Sequence, residues 1–318
     1  MSDVTLAGIE AAAKRISGAI RRTPMLRPGP VATAALPDGL ALKLENLQVA
    51  GSFKARGAAN TALSLDPSAL ERGLITASGG NHGLGVAAAA RAAGVPAVIH
   101  LPTSTAEEKI KGIRAFGAEV VVKGDVWDDA NALALVRAEA ERRTYVHPFA
   151  QGTVIEGQGT LGLEILEDLP DLDTIIVAIG GGGLISGIAT AIKARKPGVR
   201  VIGVEPTGAP TLFESRKAGR PVTLDRISTR AGTLAPRRSA DMNFAIIERL
   251  VDDIVLVSDE EMRAAARWLW FEFAIGAELA GAAGIAALLN GRVETGAGER
   301  VCAIICGAGL DGIPGHGG

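Results

Sequence analysis

Along this chain, apolar runs typical of β-strands alternate with apolar residues at the spacing of α-helices. This alternation predicts the fold class. Short apolar runs at residues 74–77, 97–101 and 119–122 have the length and residue types of buried strands. Segments with apolar residues at helical spacing separate these runs, and another follows them from Trp127 to Arg142. Because alternation of strand and helix is typical of a parallel sheet covered by helices, we predict an α/β protein.

The second half of the chain repeats this alternation. Strands are predicted at Thr174 to Ile179, Arg200 to Val204, Ile254 to Val257 and Val301 to Ile305. Residues 209–244 contain three prolines and are predicted to be less regular. Since 318 residues are many for one core, we expect two domains, each with an open, mostly parallel, twisted sheet flanked by helices. The expected large domain is residues 1–44 plus 146–318, and the expected small, mobile domain is residues 45–145.

Composition and charge favour a soluble globular protein. Hydrophobic residues make up 47% of the chain and charged residues 21%, and the net charge is −2. This balance offers no electrostatic basis for binding nucleic acid or an anionic membrane. The sequence has no apolar stretch of membrane-spanning length and no signal-peptide pattern at its start. With only two cysteines, Cys302 and Cys306, a disulfide scaffold is not expected, so we predict a cytoplasmic protein.

A lysine in the stretch from Gln48 to Gly57 is the first candidate for chemistry. Gly51 can turn the backbone and Ser52 can cap a following helix, which places Lys54 in its first turn. A cation is unfavourable at that end of a helix, so the position indicates reactivity rather than stability. A lysine amine of lowered pKa can form a Schiff base with an aldehyde or ketone, and Phe53 offers an apolar wall beside it. An ordinary surface lysine is the alternative interpretation.

Glycine-rich segments follow three predicted strands, at the edge where open α/β sheets bind ligands. They are Ser78-Gly79-Gly80-Asn81-His82-Gly83, Gly180-Gly181-Gly182-Gly183 and Cys306-Gly307-Ala308-Gly309. Four glycines before a helix leave backbone N–H groups free to approach an anion, which predicts a phosphate site. A tight strand-to-helix connection alone would need fewer glycines. Neither G-x-G-x-x-G nor a P-loop fits the four glycines, although Glu205 ends the next strand and leaves a dinucleotide site open.

The lysine, the Ser-Gly-Gly-Asn segment and the four glycines together resemble a known family. Over nearly its whole length the chain is similar to the fold-type II pyridoxal phosphate enzymes, in the branch of threonine/serine dehydratases and serine racemases. The resemblance is carried by Arg22-Thr23-Pro24, Glu45-Asn46, Gly51 to Gly57, Ala77 to Gly83, Gly180 to Gly183, Val204-Glu205-Pro206, Leu250 to Asp253 and Cys306-Gly307.

The resemblance implies roles for these residues towards pyridoxal 5'-phosphate. Lys54 would bind the cofactor covalently and later remove the α-proton of the substrate. Asn81 would donate a hydrogen bond to the phenolic oxygen of the ring, and Phe53 would pack against the ring. Gly180 to Gly183 would bind the phosphate group. Cys306 would face the pyridine nitrogen without protonating it, which favours β-elimination over transamination.

The resemblance also implies a substrate site and a reaction. Ser78, Gly79, Gly80, Asn81 and His82 would bind the substrate carboxylate, although His82 can equally be a structural residue at a helix start. The expected reaction converts an L-β-hydroxy amino acid, such as L-threonine or L-serine, to a 2-oxo acid and ammonia, and the expected assembly is a homodimer. A dehydratase for 3-hydroxyaspartate or phenylserine, an amino-acid racemase and a dinucleotide-binding oxidoreductase stay open as alternatives.

Three positions, Gly79, Thr211 and Gly309, depart from the family pattern. Gly79 stands where the racemases have a serine that returns the proton, so we expect negligible racemisation. Glu205 and Ala209 match a family cation site, but Thr211 replaces a carboxylate there, so we expect no metal. Gly309 stands where asparagine is usual, which predicts one missing polar contact near the cofactor.

Two further features bear on substrate and regulation. Arg237 and Arg238 either bind an acidic or bulky substrate or face water, and we favour water. No regulatory domain is evident after Gly309, so feedback by an end-product amino acid is not expected.

Overall fold

Each half of the βα alternation forms its own sheet in the computed structural model, which describes residues 4–29, 31–32, 36–105 and 107–316. The chain divides into two compact units. Unit 1 comprises Met1–Arg21 and Gln48–Thr160, and unit 2 comprises Arg22–Leu47 and Leu161–Gly318. The predicted fold class is confirmed, with mostly parallel sheets flanked by helices. The units differ from the predicted domains at residues 1–21, 45–47 and 146–160, and the domain division stays a prediction.

The strands are β1 (Met25–Leu26), β2 (Gly39–Lys43), β3 (Leu74–Ala77), β4 (Ala97–Leu101), β5 (Glu119–Val122), β6 (Thr144–Tyr145), β7 (Thr174–Ala178), β8 (Arg200–Pro206), β9 (Asp253–Val257) and β10 (Arg300–Ile304). The α-helices are α1 (Leu6–Ile16), α2 (Lys54–Leu63), α3 (Pro67–Glu71), α4 (Asn81–Ala93), α5 (Glu107–Ala115), α6 (Trp127–Glu141), α7 (Gly152–Asp168), α8 (Gly183–Arg195), α9 (Thr211–Ala218), α10 (Asp241–Leu250), α11 (Asp259–Phe273) and α12 (Leu279–Leu289). Among the described residues, 3₁₀ turns lie at Glu45–Leu47, Val49–Gly51 and Gly232–Leu234.

Unit 1 contains a four-stranded parallel sheet in the order β5-β4-β3-β6. Alternate residues of its strands point to opposite faces, and in the central strands β3 and β4 both faces are buried. Leu74 and Ile99 belong to one apolar core with residues of α2 and α4. Ile75 and Val98 belong to a second core with the alanines of α6. Because helices cover both faces, the edge at the strand ends is left for binding.

Unit 2 contains a six-stranded sheet in the order β1-β2-β10-β7-β8-β9. The two-residue strand β1 is antiparallel to β2, and the other pairs are parallel. Val301 of β10 pairs with Thr174 of β7, so these two neighbouring strands end at the same edge. The glycines that follow β7 and Cys306, which follows β10, therefore lie at one edge of this sheet.

Most predicted elements agree with the observed ones within a few residues, and the exceptions have local causes. A capping box opens α11, with the Ser258 side chain accepting from the Glu261 N–H. The region predicted to be irregular contains α9 and the start of α10, because its prolines lie outside both helices. The helical segment predicted between residues 101 and 119 contains α5, which begins at Glu107, and Ala106 lies outside the described residues. Within the described part of the chain, each helix is too short or too polar to cross a membrane.

Candidate active site

Lys54 begins α2, after a turn made by two left-handed residues. Ala50 has φ +59° and Gly51 φ +76°, and this brings the chain round to the helix start. The predicted capping role of Ser52 is wrong. Its hydroxyl is buried with no hydrogen-bond partner among the described residues, while its carbonyl accepts from the Ala55 N–H at 3.3 Å. Lys54 thus occupies a helix start whose amides have no side-chain cap.

The Lys54 amine donates a hydrogen bond to the Pro148 carbonyl at 2.6 Å. It also lies 5.2 Å from the centre of the Phe53 ring. Pro148 is held by a turn in which His147 Nδ1 accepts from the N–H groups of Phe149 and Ala150 at 3.2 and 2.8 Å. Sequence reasoning missed this turn, because residues 147–150 match no recognised motif.

Two histidines near the Lys54 amine are neutral. Burial, aided by the charge of Lys54, lowers the pKa of His82 to about 3 and that of His147 to about 4. His82 is buried, and its Nε2 donates to the Val146 carbonyl at 2.9 Å. His82 thereby acts as a structural contact at the start of α4, which was the alternative interpretation of this residue.

Glycines allow neighbouring helices to approach the start of α2 closely. A Cβ on Gly85 of α4 would lie 3.0 Å from the Lys54 carbonyl carbon. A Cβ on Gly57 would lie 2.6 Å from Gln158 Nε2 and 2.8 Å from the Val154 carbonyl oxygen of α7. Backbone packed this closely on two sides fixes the position of Lys54, since larger side chains would push the helices apart.

The loop from Ser78 to His82 joins β3 to α4 within unit 1. The Ser78 N–H donates to the His100 carbonyl at 3.1 Å, and its hydroxyl accepts from the Gly80 N–H at 3.3 Å. Asn81 is the first residue of α4, and Gly80 before it provides no side-chain cap. The first N–H groups of α4 and the Ser78 hydroxyl therefore form a set of donors suited to a carboxylate.

The four glycines of unit 2 form a partly buried loop of backbone amide donors. Gly182 has φ +87°, and a Cβ on Gly180 would lie 2.7 Å from the Thr233 carbonyl oxygen. The Gly181 carbonyl accepts from Ser239 Oγ at 3.0 Å and from Asn243 Nδ2 at 2.7 Å. In the described structure, no protein acceptor is seen for the N–H groups of residues 181–184, at the start of α8. This loop fits a phosphate group, which supplies the acceptors that these donors need.

Cys306 is buried just after β10, and its Sγ donates to the Ala280 carbonyl at 3.4 Å. The neighbouring α12 approaches closely, since a Cβ on Gly281 would lie 2.5 Å from the Gly307 carbonyl oxygen. A Cβ on Gly309 would lie 2.7 Å from Glu278 Cα, so an asparagine there would require the backbone to move. A glycine at residue 309 therefore fits the close approach of Glu278.

Two residues of the cation site considered in the sequence, Glu205 and Thr211, make hydrogen bonds at the start of α9. Glu205 is buried, and its two carboxyl oxygens accept from the N–H groups of Leu212 and Phe213 at 2.9 and 2.8 Å. Burial raises its pKa to about 8, against the lowering effect of these two hydrogen bonds. Thr211 Oγ1 donates to the Pro236 carbonyl at 2.7 Å, and Ala209 is buried. The absence of a metal here stays a prediction.

Arg237 and Arg238 donate hydrogen bonds to backbone carbonyls of residues 221–224. Arg237 donates to the Leu224 carbonyl at 2.9 Å, and Arg238 donates to the Pro221 carbonyl at 3.0 Å. Both bonds are at the protein surface.

A lysine at a helix start and a separate loop of amides shaped for phosphate are the protein groups that a pyridoxal phosphate enzyme requires. Residues 16–307 match the family of pyridoxal-phosphate dependent enzymes, and the chain belongs to that family.

Relatives and a solved structure agree with this assignment. The chain is 39% identical to an L-threonine ammonia-lyase of Thermotoga maritima, covering 97% of this chain and 76% of that protein. It is 42% identical to an L-threonine ammonia-lyase of Geobacter sulfurreducens, covering 95% and 75%. The structure of maize serine racemase superimposes with a TM-score of 0.90 at 31% identity, covering 96% of this chain and 94% of that one.

Proposed function

We propose that this chain is an ammonia-lyase that removes the β-hydroxyl group and the amino group of L-threonine or L-serine, giving a 2-oxo acid and ammonia. The two relatives that are L-threonine ammonia-lyases support this assignment. The observation that carries it is the setting of Lys54, whose amine lies near two histidines with pKa values lowered to about 3 and about 4. Because histidines with pKa values this low are weak bases, we assign the removal of the α-proton to Lys54 Nζ.

The proposal assigns the cofactor contacts to the residues that the family resemblance implies. Lys54 would attach the cofactor covalently, Asn81 would donate to the phenolic oxygen of its ring, and Phe53 would pack against the ring. The N–H groups of Gly180 to Gly183 would bind the phosphate, and Cys306 would face the ring nitrogen. Bound pyridoxal phosphate supplies an electron sink for the negative charge left at the α-carbon.

The substrate contacts are assigned to the loop that precedes α4. Ser78 Oγ and the N–H groups of Gly79, Gly80, Asn81 and His82 bind the substrate carboxylate and so fix the amino acid for reaction. In this proposal the amino group of the substrate would replace Lys54 on the cofactor, and the freed Nζ would take the α-proton. The β-hydroxyl would leave together with one proton as water, and Lys54 would then rebind the cofactor. The released enamine would tautomerise to an imine, and water would hydrolyse that imine to the 2-oxo acid and ammonia.

Racemisation is the second candidate, favoured by the similarity to maize serine racemase. A racemase needs a proton donor on the face of the substrate opposite to the lysine. Gly79 has no side chain to provide one, and this supports elimination as the main reaction. Measuring D-serine beside pyruvate in the same incubation with L-serine separates the two reactions, and comparable rates would contradict the proposal.

The test of the proposed function is the release of 2-oxo acid by the purified holoenzyme and by Lys54→Ala. We expect the wild type to act on L-threonine or L-serine, and Lys54→Ala to lose about 10³-fold or more in kcat, since both attachment and proton removal depend on this amine. Lys109→Ala, an exposed lysine of unit 1, is the control and should keep the activity. A Lys54→Ala variant with near-normal turnover would rule out this mechanism.

Assembly and location belong to the same proposal. We infer a cytoplasmic homodimer that binds neither nucleic acid nor membrane. Both cysteines are free and buried in the structure, as suits a reducing compartment. Light scattering tests the assembly, and a mass near the 32.5 kDa of one chain would contradict the dimer.

A further inference from the structure

Thr105 lies against the loop from Ser78 to His82, within unit 1. The loop follows β3 and Thr105 follows the neighbouring strand β4, whose residue His100 pairs with Ala77. A Cβ on Gly79 would lie 2.8 Å from Thr105 Oγ1 and 2.9 Å from Thr105 Cγ2. Atoms do not pack this closely in folded proteins, so the Thr105 side chain occupies the space that a side chain at residue 79 would need.

The hydroxyl of Thr105 can still bind a ligand. The residue is half-buried, and its backbone N–H donates to the Pro102 carbonyl at 3.1 Å. No hydrogen-bond partner of Thr105 Oγ1 is seen among the residues described. A hydroxyl offers one donor and two acceptor sites, so the group has its full capacity for a ligand at this edge of the sheet.

The neighbouring groups indicate what that ligand would be. Ser78 Oγ and the first N–H groups of α4 are hydrogen-bond donors, and a helix start favours negative charge. We propose that Thr105 is a substrate-binding residue, and that its hydroxyl donates a hydrogen bond to the carboxylate of the amino acid. Thr105 thereby replaces the side chain that Gly79 lacks. The substrate class in this inference rests on the proposed function.

The first experiment separates the hydroxyl from the shape of the side chain. Glycine is the probe, because it has a carboxylate but no β-substituent, and its binding to the holoenzyme is followed by the absorbance of the cofactor. Thr105→Val keeps the shape and should weaken glycine binding about tenfold, whereas Thr105→Ser keeps the hydroxyl and should bind more tightly than the valine variant. Thr103→Val, an exposed threonine of the same segment, is the control and should leave the Kd unchanged.

The second experiment moves the hydroxyl from residue 105 to residue 79. Gly79→Ser alone should lower the midpoint of thermal unfolding, because its Cβ meets Thr105. Adding Thr105→Ala clears that space, so the double variant should regain most of the lost stability. The double variant should also bind glycine more tightly than Thr105→Ala alone, since a hydroxyl is again present beside the loop.

Three results would overturn the inference. An unchanged Kd of glycine in Thr105→Val would show that the hydroxyl binds no carboxylate. Weaker binding of L-serine with unchanged binding of glycine would assign the hydroxyl to the β-substituent. An unchanged unfolding midpoint in Gly79→Ser would contradict the contact itself. A wild type that binds glycine but releases no 2-oxo acid would instead refute the proposed reaction, and the effect of Thr105→Val on glycine would still decide this inference.

Discussion

The two strand-to-helix loops of this chain, one in each unit, have the same position in their sheets but different chemistry. The loop from Ser78 to His82 and the loop from Gly180 to Gly183 each follow a buried parallel strand and open a helix of 13 residues. The first has three polar side chains. The second has none, and its Gly181 carbonyl is anchored by Ser239 and Asn243.

This difference suits one loop to binding phosphate and the other to recognising the substrate. A bare backbone presents N–H groups to an anion irrespective of what else the ligand contains, which suits a phosphate present in every turnover. Side chains add hydrogen bonds that depend on the shape and donors of the ligand, which suits the recognition of a substrate. We call residues 180–183 the glycine loop and residues 78–82 the serine loop. We therefore expect substitutions in the glycine loop to affect cofactor binding and stability, and substitutions in the serine loop to affect substrate binding.

The largest effect expected from this comparison is that of Gly182→Ala. Its φ of +87° costs an L-residue about 1–2 kcal/mol. The new Cβ would also lie 2.8 Å from Ile247 Cδ1, and such overpacking adds about 1–3 kcal/mol. We expect a loss of stability near the sum of these terms and a weaker affinity for pyridoxal phosphate, measured by denaturant unfolding and cofactor titration.

Gly219→Ala is the matched control for this substitution. Gly219 has a similar left-handed backbone, with φ +63°, but no atom lies within 4 Å of its Cβ position. It should show the backbone cost alone and leave the cofactor affinity unchanged. Equal losses in the two variants would show that crowding in the glycine loop is unimportant.

Much of this site could be predicted from sequence, because local rules determine its elements. The glycine loop, the position of Lys54 at a helix start and the alternation of strands with helices follow from residue periods and turn residues. The contacts of Lys54 with Pro148 and of Gly79 with Thr105 could not be predicted. They join residues far apart in the chain, and no repeated spacing encodes them.

A smaller effect is expected on the stability of the protein at acid pH, through His82 in the serine loop of unit 1. The pKa of His82 falls from 6.5 when unfolded to about 3 in the structure, so below pH 6.5 the unfolded chain binds a proton that the folded chain excludes. Stability should therefore fall as the pH is lowered from 6.5 to 5, by up to about 1.4 kcal/mol per pH unit for this histidine. His147, with a pKa of about 4, acts in the same direction.

The measurement is the free energy of unfolding of the holoenzyme against pH at a fixed cofactor concentration. His82→Gln should make the slope between pH 6.5 and 5 shallower, whatever its effect on stability at pH 7. His316→Gln, an exposed histidine, should keep the wild-type slope. An unchanged slope in His82→Gln would mean that His82 is not buried in its neutral form.

The smallest effect is expected at Cys306, a side chain at the same sheet edge as the glycine loop. Cys306→Ser leaves the proposed partner of the ring nitrogen neutral, so kcat/KM should stay within about tenfold of the wild type, or about 1.4 kcal/mol of barrier. Cys306→Asp should be far slower, because a carboxylate favours a protonated ring that suits elimination less well.

Cys302→Ser is the control for the exchange of sulfur for oxygen. Cys302 is buried inside β10, where burial raises its pKa to about 12, so its exchange should lower stability more than turnover. Equal rates for Cys306→Ser and Cys306→Asp would show that this residue does not face the ring nitrogen, and cofactor binding in unit 2 would then depend on the backbone of the glycine loop.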